Sequence, residues 1–210
     1  MITLYDIHSH HKHSEHKAII SVLPSQYIPI QDVYYSIGIH PWNSDNYQKD
    51  DIDLLQQYIQ HHNVVAVGET GIDRKRGACI EQQVILLEKH IALSEQFKKP
   101  LILHVVHGID IILNMHNKYK PSQQWIIHGY RGNPITTRQL LNKNIQLSFN
   151  HKFNIESVKI TPIEKLWIES DENPELLEEN YRKIALIKNL SVDELKLSTQ
   201  LRAEKLFFQS

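Results

Sequence analysis

Residues 64–69, VVAVGE, pass through four apolar residues and a glycine without a polar break and then end on a carboxylate. A strand buried on both faces reads this way, because neither face has to meet water. Downstream, residues 80–97 carry Val84, Leu87 and Ile91 at helical spacing. Residues 100–104, PLILH, are a second apolar run, again ending on a potential metal ligand. Strand, helix, strand is the repeating unit of a parallel sheet. The pattern extends in both directions. ITLYDIH (2–8), AIISVL (18–23) and VYYSIGIH (33–40) come before it, and QWIIHG (124–129), IQLSF (145–149) and LWIES (166–170) come after. Eight such strands predict an α/β fold, a (β/α)8 TIM-type barrel.

The chain of 210 residues is short for that fold. Only about ten residues separate the first strand from the second, and about as many the second from the third, too few for a full helix in each gap. The expectation is therefore a trimmed barrel with its early helices missing or shortened, forming a single domain over residues 1–210. Two later helices have clearer signals. Residues 175–188 follow Asn173 as a cap and Pro174 at the first helical position, and set Leu177, Tyr181 and Ile184 on one face. Residues 191–207 open on Ser191 and Glu194, spaced as a capping box.

Composition is 41% hydrophobic and 22% charged, enough for a real core. The formal net charge of −1 argues against binding nucleic acid by bulk charge, though not against a local basic patch. Cys79 is the sole cysteine, so an internal disulfide is impossible and a reducing, cytoplasmic location is expected. The sequence has neither an apolar run long enough for a membrane span nor a signal-peptide pattern at its start, and no obligate protein partner is evident.

The unusual total is 14 histidines. In DIHSHHKHS (6–14), His8 and His10 are two apart, which on a strand turns both rings to one side. In a parallel barrel the chemistry gathers at the C-terminal strand ends. There the sequence sets His8, His10, His40, Glu69, His104, His128 and, directly after the eighth strand, Asp171. One such histidine is ordinarily structural. Seven imidazoles and carboxylates brought to one rim would leave unsatisfied polar groups and clashing carboxylates unless a cation joined them. Mixed nitrogen and oxygen donors suit Zn²⁺, Mn²⁺ or Fe²⁺, with Mg²⁺ possible at a more carboxylate-rich position. That many ligands exceed the needs of one ion, and a Glu bridging two divalent metal ions would use them well. His11, His13 and His16 lie beyond the first strand and are expected in a solvated loop.

The motifs DIHSH, GIHP, VGETGID, PLILH, HGYRG and IESD, in this order over nearly the whole chain, resemble the TatD family of metal-dependent deoxyribonucleases in the amidohydrolase superfamily. The resemblance implies that His8, His10 and Asp171 bind one ion, that His104 and His128 bind a second, and that Glu69 bridges them. It implies phosphodiester hydrolysis, often at DNA 3′ ends, with Asp171 orienting or deprotonating the attacking water. Glu169 would support the ligands from behind, and His40 would contact a substrate phosphate. The sequence also departs from the family. Val106 stands where an arginine is common and Trp42 where a histidine often follows GIHP. The polar loop after Asp171 is short, and the first helix is lacking. Arg74, Lys75, Arg76 and Arg131 are basic residues placed to replace lost phosphate contacts. Tyr130 and Trp42 are candidates for stacking on a base, or for packing. Two other readings compete with a nuclease acting on DNA: a hydrolase of small amide, ester or phosphoester substrates, and a metal-bound interaction domain without catalysis.

Overall fold

The computed structural model describes residues 3–12 and 16–208. Its strands are β1 (Leu4–Ser9), β2 (His16–Val22), β3 (Tyr34–Ile37), β4 (Val64–Asp73), β5 (Leu101–Val106), β6 (Trp125–Ile127), β7 (Gln146–Phe149) and β8 (Leu166–Ile168). The helices are α1 (Lys49–Tyr58), α2 (Ile80–Phe97), α3 (Ile109–Tyr119), α4 (Pro134–Asn142), α5 (Ile155–Ile160), α6 (Leu177–Lys188) and α7 (Val192–Phe207). The strands follow one another in chain order in an eight-stranded sheet. Hydrogen bonds also join the end of β1 to the residues just after β8, where Asp171 N–H donates to His8 O at 3.0 Å and His10 N–H to Asp171 O at 3.1 Å. This is the strand order and closure of a (β/α)8 barrel. The trimming falls where the spacing predicts it. No helix is found between β1 and β2 among the described residues, and a 3-10 turn, Pro24–Gln26, stands between β2 and β3.

By compactness the chain forms two units, residues 1–20 with 127–210 and residues 21–126. In the second, β3, β4 and β5 run parallel, and the register sets Gly71 of β4 opposite His104 of β5. Every residue of β4 is buried. Gly71 has φ +144°, and a Cβ there would lie 2.0 Å from His104 O. Only glycine lets these two strands approach so closely beside His104. Helix α2 buries Leu86, Leu87 and Ile91, whereas Val84 is half-buried and the polar Gln83 and His90 take the inner positions. Both polar side chains are satisfied there by backbone partners, so the apolar spacing located the helix but misjudged the edge of its face. Each fully buried leucine or isoleucine in this core contributes roughly 2 kcal/mol.

In the other unit β7 and β8 pair in parallel, with Leu147 opposite Leu166. Leu177, Tyr181 and Ile184 of α6 are fully buried as their spacing predicts. Asn173 instead precedes a 3-10 turn, Pro174–Leu176, and makes no side-chain cap bond, so α6 itself starts at Leu177. Ser191 and Glu194 do form the capping box of α7. His16 is the first residue of β2, paired with Leu4, and not part of a loop; His11 is exposed, and His13 lies outside the described residues.

Candidate metal centre

Strand β1 carries His8 fully buried near its C-terminal end and leaves His10 exposed just beyond it. The two rings lie 5.1 Å apart, nearly perpendicular, and His8 is 4.1 Å from the ring of His128, which follows β6. One ligand atom from each of His8, His128 and Asp171 lies within 4.8 Å of the others. His10 Nε2 is 3.8 Å from Asp171 Oδ1 and 3.9 Å from Glu172 Oε1, which brings the second histidine of the pair to the same carboxylate. Asp171 sits at φ +58°, a left-handed conformation that costs a non-glycine residue energy. The two backbone bonds to β1 hold it there.

The residues behind these donors are fixed in turn. Glu169 is fully buried; its Oε1 accepts the Gly129 N–H at 2.7 Å and lies 3.4 Å from His128 Nδ1. Burial works to raise its pKa, but the His128 hydrogen bond and the charges of His128 and His8 outweigh that and hold it below the usual carboxylate range. Asp6, also buried, accepts from Ser170 N–H at 3.0 Å, Ser170 Oγ at 2.6 Å and His8 N–H at 3.3 Å. It thereby ties the strand bearing His8 to the segment bearing Asp171. Nothing in the sequence marks Asp6 for this, because its partner Ser170 is 164 residues away.

Residues 21–126 hold a second donor set: His40, Glu69 and His104 each offer a ligand atom within 4.8 Å of the others. Glu69 Oε1 is 2.9 Å from His40 Nε2 and 2.8 Å from His104 Nδ1. His40 caps the 3-10 turn Pro41–Asn43, and its Nδ1 accepts the Trp42 backbone N–H at 3.1 Å. A neutral imidazole has one N–H, so His40 carries it on Nε2 and donates it to Glu69. His90 Nε2 accepts the Ile39 N–H at 2.9 Å, immediately before His40. The sequence reading missed Asp73, at the end of β4. Its Oδ2 accepts the Trp42 Nε1–H at 2.6 Å and lies 3.3 Å from His104 Nε2, and its Oδ1 accepts the Lys75 N–H at 2.7 Å. Burial raises the Asp73 pKa, but those bonds prevail and hold it low. The available signal was its place at the end of a strand already bearing Glu69.

The basic candidates separate. Arg74 makes a two-pronged ion pair with Asp110, at 3.0 and 2.7 Å, and donates to His107 O, so it is committed within the protein. Arg76 stacks on the half-exposed indole of Trp42, with its Cζ 4.3 Å from the ring centroid. Arg131 and Lys75 are exposed. Tyr130 is buried against Phe149 with its hydroxyl bonded to Thr137, so it packs and presents no face to a base.

Imidazole nitrogens and carboxylate oxygens converging at these distances are the donor chemistry of a divalent cation, and the first set fits one; in the second, both ring nitrogens of His40 are engaged, so Glu69 and His104 are its donors. Of the histidines the resemblance implies as ligands, the structure brings His128 beside His8 and Asp171. No helix among the described residues is long and apolar enough to cross a membrane.

Comparison with known proteins agrees with this chemistry. The family model described as TatD related DNase matches residues 10–208. An uncharacterized metal-dependent hydrolase of Buchnera aphidicola subsp. Baizongia pistaciae is 33% identical over 201 residues, covering 84% of this chain and 75% of the relative. A protein of Erwinia amylovora named 3'-5' ssDNA/RNA exonuclease TatD is 23% identical over 197 residues, covering 81% of this chain and 76% of its own. The crystal structure of YJJV, a TatD homolog from Escherichia coli K12, superposes with a TM-score of 0.85 over 100% of both chains at 18% identity.

Proposed function

The chain belongs to the TatD-related DNase family of metal-dependent hydrolases, and from that premise we propose that it hydrolyses phosphodiester bonds at the 3′ ends of single-stranded DNA. The observation that carries this reading is the pair of donor sets, His8 and His128 with Asp171, and Glu69 with His104. In this reading each set holds one divalent ion (Zn²⁺, Mn²⁺, Fe²⁺ or Mg²⁺), with His10 completing the first. A bound divalent ion lowers the pKa of water and stabilises charge on a phosphate oxygen. Asp171 accepts the proton of the attacking water, a role for which its carboxylate stands beside His8, His10 and His128. Glu169 orients His128. The guanidinium groups of Arg76 and Arg131 bind phosphate, His40 is committed to Glu69 through its Nε2–H, and Arg74 shapes the loop through Asp110. The name of the Erwinia amylovora relative supports a nucleic-acid substrate of this kind.

The test is digestion of single-stranded oligonucleotides, labelled at either end, with Mn²⁺, Zn²⁺ or Mg²⁺ added to chelator-treated protein. A ladder shortening from the 3′ end is expected. Turnover of small esters or amides with every oligonucleotide left intact would replace this reading with a small-molecule hydrolase.

A further inference from the structure

We propose that Arg131 and Lys152, on the loops that follow β6 and β7, form a subsite for a backbone phosphate of single-stranded nucleic acid, one link along the chain from the bond that is cut beside Asp171. The proposal rests on the reading of Asp171 as part of the hydrolytic site. Asn150, the first residue after β7, is fully buried, and its side chain joins the two places. Its Nδ2 donates to Asp171 Oδ2 at 3.5 Å, and its Oδ1 accepts the Lys152 N–H at 2.9 Å. The second bond fixes which way the amide faces, as in an Asx turn, and leaves Lys152 exposed two residues beyond the contact with Asp171.

A separate set of bonds brings Arg131 to the same place. Tyr130 N–H donates to Ser148 O of β7 at 2.9 Å, and Gly132 O accepts from Ser157 Oγ of α5 at 2.7 Å. The chain is thus held to β7 on one side of Arg131 and to α5 on the other. A Cβ at Gly129 would lie 3.5 Å from Asn150 Nδ2, so the two loops run against each other. The charges converge in the same way. Burial lowers the pKa of His151, the charges of Lys152 and Arg131 lower it further, Asp171 opposes them, and Lys183 of α6 adds to the lowering. Lys183 is paired with Glu179 at 2.5 Å, but neither Arg131 nor Lys152 has an ion-pair partner among the described residues. Glu172, the carboxylate next to Asp171, turns instead to His10 and His11, at 3.9 and 3.3 Å. Two exposed cations that press on one imidazole repel each other, and an anion lying between them relieves that repulsion. The hydrolytic donors hold the phosphate whose bond is cut, so the anion these two cations meet is its neighbour along the strand.

The test is binding of a fluorescein-labelled single-stranded oligothymidylate to chelator-treated protein, followed across a range of salt concentrations. Each of Arg131→Ala and Lys152→Ala should reduce the slope of log affinity against log salt by about 0.7, which amounts to about fivefold weaker binding at about 0.1 M salt. Lys205, exposed on α7, is the control, and Lys205→Ala should leave the slope as it is. With Mn²⁺ restored, kcat/KM of the two loop variants should fall further on the oligonucleotide than on a dinucleoside monophosphate, which has only the phosphate that is cut. Slopes unchanged in both loop variants, or no binding by the wild-type protein, overturn the proposal. An equal fall in slope for Lys205→Ala overturns it as well, because bulk charge then accounts for binding. Equal losses of kcat/KM on the two substrates place the residues at the cut phosphate and overturn the adjoining subsite. A wild-type protein that binds the oligonucleotide but cuts neither substrate overturns the hydrolytic reading instead, and the salt slopes alone then decide the subsite.

Discussion

Lowering the pH from 7 to 4 should cost the protein about 3 kcal/mol of stability through one side chain, His90. The ring is fully buried on α2. Its Nε2 accepts from Ile39 N–H and its Nδ1–H donates to Leu86 O at 2.8 Å, an arrangement that requires the neutral form. Burial pushes its pKa down to about 4 from the ordinary 6.5; the Leu86 bond opposes the shift and the charge of Lys89 adds to it. In the unfolded chain the ring takes up its proton near 6.5, and in the folded one only near 4. Between those values the unfolded state binds more protons, so stability is full above pH 6.5 and falls as the pH drops toward 4. A shift of about 2.5 units at about 1.36 kcal/mol each gives roughly 3 kcal/mol, or on the order of 10 °C in a chain this size. Urea denaturation in the presence of chelator, at steps from pH 7.5 to 4, measures it against a His90→Phe variant. The variant should be less stable at pH 7 by about 1–3 kcal/mol, because Ile39 N–H loses its acceptor. Its stability should nevertheless fall less steeply with acid, by about the 3 kcal/mol assigned to His90. Parallel curves for the two proteins would refute the argument. The consequence reaches the metal centre, since the amide that His90 holds directly precedes His40.

Asp171→Asn keeps the size of the side chain but removes the proton acceptor, so kcat should fall at least about a hundredfold with metal content largely retained. Glu69→Gln should instead lower metal content itself, which elemental analysis of both variants distinguishes. Arg76→Ala should raise KM for DNA and flatten its salt dependence. Arg74→Ala removes an exposed ion pair with Asp110, should cost no more than about 1 kcal/mol of stability, and should leave the salt dependence unchanged. Chelation should abolish hydrolysis and lower the melting temperature, because an ion held only by the folded state stabilises it; full activity after dialysis against chelator would count against the metal-dependent reading.

What could be read from the sequence alone depends on short-range periodicity. His8 and His10 are two apart, so extended backbone turns both rings to one side, and the tertiary structure then adds Asp171 beside them. Leu177, Tyr181 and Ile184 recur at helical spacing and Ser191 with Glu194 spans one helical turn, so a buried face and a cap were legible without a partner. The continuous apolar runs, each ending in a ligand type, were enough for the parallel sheet and for the end of it that carries chemistry. Other features depend on residues far apart along the chain. Asp6 meets Ser170 across 164 positions, His90 meets the backbone of Ile39 across 51, and Asp73 meets Trp42 and His104 across 31 each. No local spacing encodes such pairs, because a carboxylate at a strand end looks the same whether it binds a cation, braces a histidine or faces water. Arg74 and Arg76 show the same limit two positions apart. Only the folding of β4 beside β5 and α3 gives the first an acid to pair with and leaves the second stacked on an exposed indole.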